Sequence, residues 1–166
     1  MLTRLLFQTS EVDLLEEYKK AYQRKCATIL GLDYSSETSD EVGSIIYSIF
    51  DFSFLPHDIE DALAECSYEN YGEVDFFKWV IKNKKKLEAE ITFLDKIILF
   101  QEIDLNITQI NRENILLVLD AVKHEHNIFT AVVAPETFYV SQTPNLKKIF
   151  LKMGWKGLSN KYYFKM

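Results

Sequence analysis

The sequence predicts an α+β fold with a mixed, mostly antiparallel central sheet and helices on both faces. Its 166 residues are 48% hydrophobic and 14% aromatic, which is enough apolar surface to bury one core. Apolar residues recur every three or four positions before about residue 75 and alternate after it, so helices are expected first and strands later. We therefore expect a single domain that spans residues 1–166.

Residues 1–75 are expected to be mainly helical after one short strand at residues 2–8. A capped first helix is predicted over residues 10–31, where a glycine ends it. A second helix follows a capping-box spacing at residues 38–41, and a third begins at Asp58. The helical apolar positions are Val12, Leu15, Tyr18, Tyr22, Cys26 and Ile29, then Val42, Ile45, Ile46, Ile49 and Phe50, and finally Ile59, Ala62, Leu63 and Cys66.

The middle of the chain is predicted to form a three-stranded antiparallel meander. In its first strand, Phe77, Trp79 and Ile81 alternate with side chains that face the other way. The second strand covers residues 87–93, where apolar and polar side chains alternate cleanly. The third strand covers residues 97–105 and follows a tight turn.

The tail of the chain returns to alternating helix and strand patterns. Thr108 or Asn111 is expected to cap a helix, and residues 127–133 form an apolar strand of the kind that is buried on both faces. The next helix covers residues 143–153, because it opens on a Thr-Pro pair and is followed by a glycine. A final strand is expected over residues 158–166.

The net charge of −6 is divided unevenly along the chain. Residues 1–75 contain 5 basic and 16 acidic side chains, and residues 76–166 contain 14 basic and 9 acidic ones. Two interpretations remain open at this stage. In the first, the charged side chains form ordinary solvated surfaces. In the second, the basic half meets an anion such as a nucleotide cofactor, and the acidic half meets a basic partner. Nucleic acid is not an expected partner, because the total charge has the wrong sign.

The sequence favours a cytoplasmic protein. The chain begins without the pattern of a secretory signal, and no stretch approaches the roughly 18 apolar residues of a membrane helix, so no membrane contact is expected. Cys26 and Cys66 are predicted to be buried free thiols on helix faces, with a disulfide or redox pair as the alternative. No metal site is predicted, because His124 and His126 are two apart on a helix and face different directions.

The last predicted helix resembles a family signature. It reads Thr143-Pro-Asn-Leu-Lys-Lys-Ile-Phe-Leu-Lys-Met-Gly-Trp155, and GNAT N-acetyltransferases carry Asn-x-x-Ala-x-x-x-Tyr-x-x-x-Gly-Phe in their last helix. With Gly154 in register, Leu146 falls at the alanine position and Phe150 at the tyrosine position. The order of predicted elements is also similar to the GNAT order. The resemblance covers the last ninety or so residues by motif and the rest by element order only.

The resemblance implies a fold that binds acetyl-CoA or another acyl-CoA. The family's pyrophosphate-binding stretch, Gln/Arg-x-x-Gly-x-Gly/Ala, corresponds here to residues 109–114, in which Arg112 and Asn114 replace both glycines and would crowd the backbone amides. An ordinary helix N-terminus with a solvated arginine, and no cofactor, is the alternative. The cofactor contacts that the resemblance implies are Gln109, Arg112, Asn114, Thr143 and Phe150.

Acyl transfer in that family needs a base for the acceptor amine and often a tyrosine acid for the leaving thiolate. Glu102 and Asp104 lie on one face of the predicted strand over residues 97–105, and one of them would act as the base through a water. The alternative is that both carboxylates are merely solvated. Phe150 cannot donate a proton, and the sequence does not select a substitute among Tyr139, Tyr162 and Tyr163.

Three functions follow from these observations. The chain is a GNAT-like domain that has lost acetyl transfer and contacts a protein partner or a second copy of itself, as its aromatic content favours. Alternatively, it is an active acyl-CoA-dependent N-acyltransferase with an unusual cofactor loop. A third hypothesis is an acidic inhibitor that presents residues 1–75 to a basic site on another enzyme.

Overall fold

The computed structural model describes residues 2–8, 22–33, 38–51, 73–83, 85, 96–106, 112–133, 146–157 and 162–165. None of the helices in these ranges combines the length and the hydropathy that a membrane crossing requires. The elements in chain order are β1 (Leu2–Gln8), β2 (Tyr22–Asp33), β3 (Thr38–Asp51), α1 (Glu73–Lys82), β4 (Lys96–Leu105), α2 (Arg112–His126), β5 (Ala131–Val133), α3 (Leu146–Lys152), β6 (Lys156–Gly157) and β7 (Tyr163–Lys165).

The strands form one mixed sheet in the order β1-β2-β3-β4-β5-β7-β6. Among the described strands, β4 and β5 pair in parallel, and every other neighbouring pair is antiparallel. The change of direction is possible because α2 connects β4 to β5 as a crossover, whereas antiparallel neighbours need only a turn. The predicted α+β class with a mixed, mostly antiparallel sheet is therefore confirmed.

The helices predicted over residues 10–31 and from residue 38 onwards are wrong where the structure describes them. Residues 22–33 and 38–51 are the long antiparallel strands β2 and β3, and Gly31 is a buried strand residue rather than a helix end. Both faces of β3 carry apolar side chains, so apolar residues fall at spacings of three and four as well as two. The high share of β-branched residues in β3, among them three isoleucines, was the usable signal for a strand.

The strand predicted around Phe77 is also wrong, because residues 73–82 form helix α1. Its buried residues are Glu73, Phe76, Phe77 and Val80, which recur at the three- and four-residue spacing of one helix face. Trp79 lies at the edge of that buried face and is partly exposed. Because it is apolar, it forms with Phe77 and Ile81 an alternating pattern that resembles a strand.

Several other predicted elements are confirmed. These are the first strand, the third strand of the meander, the helix that follows it and the last helix, which correspond to β1, β4, α2 and α3. Gly154 follows α3 with a φ of +85°, the left-handed conformation that glycine adopts at helix ends. The helix predicted from Asp58, the strand over residues 87–93 and Cys66 lie outside the described residues.

Helices cover both faces of the sheet. We call the face that carries Tyr47 the α2 face, because Ile115, Val118, Leu119 and Val122 of α2 belong to the same buried apolar cluster. Successive side chains of a strand point to opposite faces of the sheet, so every second strand residue lies on the α2 face. Strand residues of the cluster include Ala27, Ile29, Ile45, Ile98, Phe100, Ile103, Ala131 and Val133.

The opposite face, which carries Ser48 and Phe50, we call the α1 face. Phe50 packs against Phe76 of α1, with ring centroids 5.4 Å apart. The same Phe76 ring meets Tyr162 at 5.3 Å, just before β7, so α1 reaches from β3 across to β7. Each fully buried phenylalanine of this kind contributes about 1.5–3 kcal/mol. Aromatic packing therefore holds α1 on the sheet.

The pairing of β3 with β4 has its register fixed by a close approach at Gly43. This residue lies opposite Leu105, and a Cβ built on it would collide with the backbone carbonyl of Asp104. One residue further, the amide of Asn106 donates to the carbonyl of Val42 at 2.8 Å. These contacts hold the last residues of β4 against β3.

Candidate functional site at the carboxyl end of β4

The parallel pair of strands defines one edge of the sheet as a candidate site. Residues 98–100 of β4 pair with residues 131–133 of β5, and β4 then runs five residues past this pairing to Leu105. Helix α2 begins shortly beyond that end, at Arg112. In open α/β sheets, ligands bind in the crevice outside the carboxyl ends of neighbouring parallel strands. The amino end of the helix that follows β4 is a second relevant feature, because the first backbone amides of a helix have no partner within the helix and favour anions.

The two predicted catalytic carboxylates lie on this part of β4. Glu102 is opposite Ile46 and Asp104 is opposite Ser44, so both are on the α1 face. Asp104 is exposed and Glu102 is partly buried. The negative charge of Glu102 acts across β3 on Cys26 of β2, because it adds to the effect of burial in raising the pKa of the Cys26 thiol. The two side chains therefore share a face beside the candidate crevice.

A β-bulge lies directly before these carboxylates. Tyr47 is opposite Phe100 and Ile46 is opposite Glu102, which leaves Gln101 as an extra residue of β4. Bulges bend a strand and redirect its side chains, and they are frequent beside active sites. This bulge occurs one residue after the described pairing of β4 with β5 ends.

The Gln101 side chain takes part in a buried polar network on the α1 face. Gln101 is 2% exposed, and its amide oxygen lies 2.6 Å from the Ser48 hydroxyl oxygen. Ser48 is in turn 2.9 Å from Oε1 of Glu73, the first residue of α1, which is 1% exposed. A carboxylate buried this deeply requires a charged partner.

Arg24 of β2 supplies that partner through two bonds. Its Nε donates to Glu73 Oε1 at 2.6 Å and its Nη2 donates to Glu73 Oε2 at 2.5 Å. The Arg24 side chain is itself only 12% exposed. Two parallel bonds between a guanidinium and a carboxylate are both stronger and more directional than a single one. The network thus links β2, β3, β4 and α1.

The single hydroxyl proton of Ser48 decides how this network is arranged. Both neighbours of Ser48 present an oxygen to it, but one proton serves one acceptor at a time. Donation to the charged Glu73 carboxylate is the stronger bond. A half-turn of the Gln101 amide exchanges its oxygen and nitrogen, so that the nitrogen then donates to Ser48. Ser48 then has an acceptor for its proton and a donor for its oxygen.

The predicted cofactor contacts are distributed over several environments. Arg112 is the first residue of α2, and Asn114 lies in its first turn with a side chain that is 9% exposed. Phe150 is completely buried on α3, where its ring meets Trp155 edge-on at 5.3 Å. Gln109 and Thr143 lie outside the described residues. The structure therefore brings Arg112 and Asn114 to the amino end of one helix and places Phe150 in the core.

Two of the candidate tyrosine acids are described, and they lie on opposite faces. Burial and, to a smaller degree, the charge of Asp75 raise the pKa of Tyr162 to about 12, and its ring packs against Trp79 of α1. Tyr163 belongs to the apolar cluster of the α2 face. Tyr139 lies outside the described ranges. Both described phenols are buried by core packing.

A second polar pair lies on the α2 face and joins α2 to β3. The Tyr47 hydroxyl is 2.7 Å from Nε2 of His126, in the last turn of α2. Burial lowers the pKa of His126, an effect that the positive charge of Lys25 increases and the negative charge of Glu125 opposes. Burial, followed by the charge of Glu125, raises the pKa of Tyr47. The two side chains share one hydrogen bond, whose donor is set by the tautomer of the imidazole.

Two sets of polar contacts were not predicted from the sequence. One is the network of Glu73 with Arg24, Ser48 and Gln101, and the other is the Tyr47–His126 pair. Glu73 falls on the same helix face as Phe76 and Val80, and a carboxylate among buried apolar positions indicates a buried partner. That signal was hidden by the incorrect strand assignment. Arg24 and Ser48 carried no such signal, because their proximity depends on the pairing of β2 with β3, where Arg24 is directly opposite Ser48.

Comparison with models of known protein families gave no match, and comparison with curated protein sequences gave none either. Within the ranges that the structure describes, no group of three or more histidine, cysteine or acidic side chains is arranged to hold a metal ion.

Proposed function

We propose that this chain is a GNAT-like domain that binds an acyl-CoA in the crevice at the carboxyl end of β4. The observation that carries the proposal is the parallel pairing of β4 with β5, which in the described chain extends to Phe100 and Val133, while β4 continues to Leu105. Helix α1 separates β3 from β4, and from β4 onwards the described order supports it as well: helix α2, strand β5 parallel to β4, helix α3 and the antiparallel strands β6 and β7. That order is similar to the order of elements in GNAT N-acetyltransferases.

The anionic part of the ligand would lie at the amino end of α2. The first backbone amides of a helix have no partner within the helix itself, and the helix dipole favours negative charge. The absence of the family's glycines is a smaller obstacle than the sequence suggests, because the Asn114 side chain is buried against the protein instead of extending freely into solvent. Arg112, the first residue of the helix, would add positive charge beside the phosphates.

Acyl transfer, if it occurs, would use Glu102 or Asp104. A carboxylate on this edge would take a proton from the acceptor amine through a water, the amine nitrogen would bond to the acyl carbon, and the carbon–sulfur bond of the thioester would break. Glu102 is the better candidate for the base, because it is partly buried whereas Asp104 is exposed.

Calorimetric titration with acetyl-CoA at low salt tests the binding proposal. We expect saturable heat, and replacing Arg112 with Ala should weaken binding roughly tenfold, since a hydrogen bond to a charged group is worth about 1.5–3 kcal/mol. The matched control is Lys96→Ala, which removes one positive charge from the opposite end of β4 and should change the affinity by less than about twofold. A folded protein that gives no heat at millimolar acetyl-CoA would contradict the proposal.

A non-catalytic role in protein interaction is the second candidate function. It is favoured by Phe150, which occupies the family's tyrosine position and is completely buried against Trp155. Its ring is used for packing and has no proton to give to a leaving thiolate. Under this proposal the protein associates with a protein partner or with itself, and sedimentation of the purified chain over a range of concentrations would reveal self-association. A monomer at all concentrations, together with turnover of acyl-CoA, would reject this candidate.

A further inference from the structure

One polar network of the α1 face includes the bulge residue of β4. Its members are Arg24, Glu73, Ser48 and Gln101. Gln101 is the extra residue of the β4 bulge and follows Phe100, the last residue of β4 that pairs with β5 in the described chain. Glu102 comes next in sequence, and Asp104 two residues later. The network therefore contacts β4 one residue beyond its described pairing with β5.

The contacts of this network hold the bulge of β4 in place. A bulge interrupts the regular pairing of two strands, so the side-chain contacts of the bulged residue help to fix the local conformation. The Gln101 side chain is bound to Ser48, Ser48 is bound to Glu73, and Glu73 is held at both carboxylate oxygens by Arg24. The two hydrogen bonds of Ser48 are buried and the Arg24–Glu73 pair is partly buried, so water does not readily replace a lost partner of Ser48.

We propose that these four residues are positioning residues, which fix the bulge at Gln101 and thereby aim Glu102 and Asp104 at the crevice beyond β5. This inference rests on the function proposed above, because it assigns the network to the same site. It also gives α1 a role at the site, since Glu73 belongs to that helix. Displacement of α1 would break the bond from Glu73 to Ser48 and release the bulge.

The test replaces single links of the network. Ser48→Ala removes the hydroxyl without adding volume, and Gln101→Met keeps the length of the side chain while removing its amide. The control is Ser44→Ala, the same substitution four residues earlier on the same face of β3, opposite Asp104 and outside the network. All three proteins are first checked for folding by circular dichroism.

Two readouts then separate positioning from a purely structural role. The first is the NMR spectrum of the ligand-free protein, in which the amide signals of Glu102 and Asp104 should shift in both network variants more than in Ser44→Ala. The second is calorimetry with acetyl-CoA, where we expect roughly tenfold weaker binding in Ser48→Ala and Gln101→Met, because displacing a site by even about 1 Å is costly. Ser48→Thr, which retains the hydroxyl, should restore most of the affinity.

The possible failures are distinguishable. If the wild-type protein binds acetyl-CoA and both network variants bind it within about twofold of the wild type, the positioning role is rejected while the proposed function stands. Unshifted amide signals of Glu102 and Asp104 in both variants would reject it as well. A folded wild-type protein that does not bind acetyl-CoA overturns the proposed function and this inference together.

Discussion

The two faces of the sheet are held by different kinds of contact. The α2 face is packed almost entirely by aliphatic and aromatic side chains, with the Tyr47–His126 pair at its margin. The α1 face combines the aromatic packing of Phe50 and Phe76 with a buried ion pair and its hydrogen-bond partners. Apolar packing loses stability gradually when volume is removed, whereas a polar network fails abruptly when one partner is missing.

The largest expected effect is on the α1 face, from Glu73→Ala. This change leaves the Arg24 guanidinium buried without its partner, so we expect a loss of about 3–5 kcal/mol in the free energy of unfolding. Urea denaturation measures it. Asp75→Ala removes an exposed carboxylate from the same turn of α1 and should cost less than about 0.5 kcal/mol. Replacing Arg24 and Glu73 together by Met should recover much of the loss, and a double variant as unstable as Glu73→Ala would weaken the comparison of the faces.

Gly43→Ala should have the next largest effect on stability, because it disturbs the pairing register of β3 with β4. That register determines which side chains lie on each face. A methyl group at this position has no room beside the carbonyl of Asp104, so the strands must shift, at a cost of about 1–3 kcal/mol. Thermal unfolding would reveal it. The control is Gly157→Ala, where the nearest atom of Tyr163 is 3.8 Å away, an ordinary contact. Equal stability of the two variants would show that β3 and β4 tolerate a different register.

On the α2 face, Ile45→Val should produce a smaller and graded loss. Ile45 is completely buried, and removal of one methylene typically costs about 0.5–1.5 kcal/mol. Ile46→Val, one residue along on the partly exposed side, should cost less. Chemical denaturation of both variants measures the difference. A loss on the α2 face as large as that of Glu73→Ala would contradict the idea that the two faces fail differently.

The smallest expected effect is the pH dependence that His126 contributes. Burial lowers its pKa below the ordinary value of 6.5, so the unfolded chain binds a proton more readily than the folded one. Stability should therefore fall as the pH drops through about 6.5 and below, until the folded protein is also protonated. His126→Gln should flatten this part of the stability profile, whereas His124→Gln, at an exposed position of α2, should not. Parallel profiles for all three proteins would argue against this role of His126.

The secondary structure was predictable where one face of an element is polar, or where the sequence contains residues that typically cap or end a helix. Helix α2 and helix α3 have clear apolar faces, and α3 ends on Gly154 in the left-handed conformation. The strands β2 and β3 were misassigned because β3 carries apolar side chains on both faces and the apolar residues of β2 also fall at helical spacings. Helical and strand periods cannot be separated in a sequence such as Ile45-Ile46-Tyr47, whose side chains are apolar on either face.

The candidate site was predictable only in part. Placing Glu102 and Asp104 on one face needed only the two-residue period of a strand, and that placement agrees with their partners Ile46 and Ser44. The bulge at Gln101 could not be anticipated, because it depends on how β3 and β4 pair. Whether either carboxylate acts as a base stays a prediction for the titration and transfer experiments.

The sequence by itself determined the class of fold, the β4-to-β5 region with its crossover helix, and the chemical types of the candidate residues. These depend on local periodicity and on end signals, which act over a few neighbouring residues. Only the tertiary structure decided that Arg24, Ser48, Glu73 and Gln101 meet, although Arg24 and Gln101 are far apart in the chain. Their burial leaves each of them needing a partner, and strand pairing together with the docking of α1 provides it.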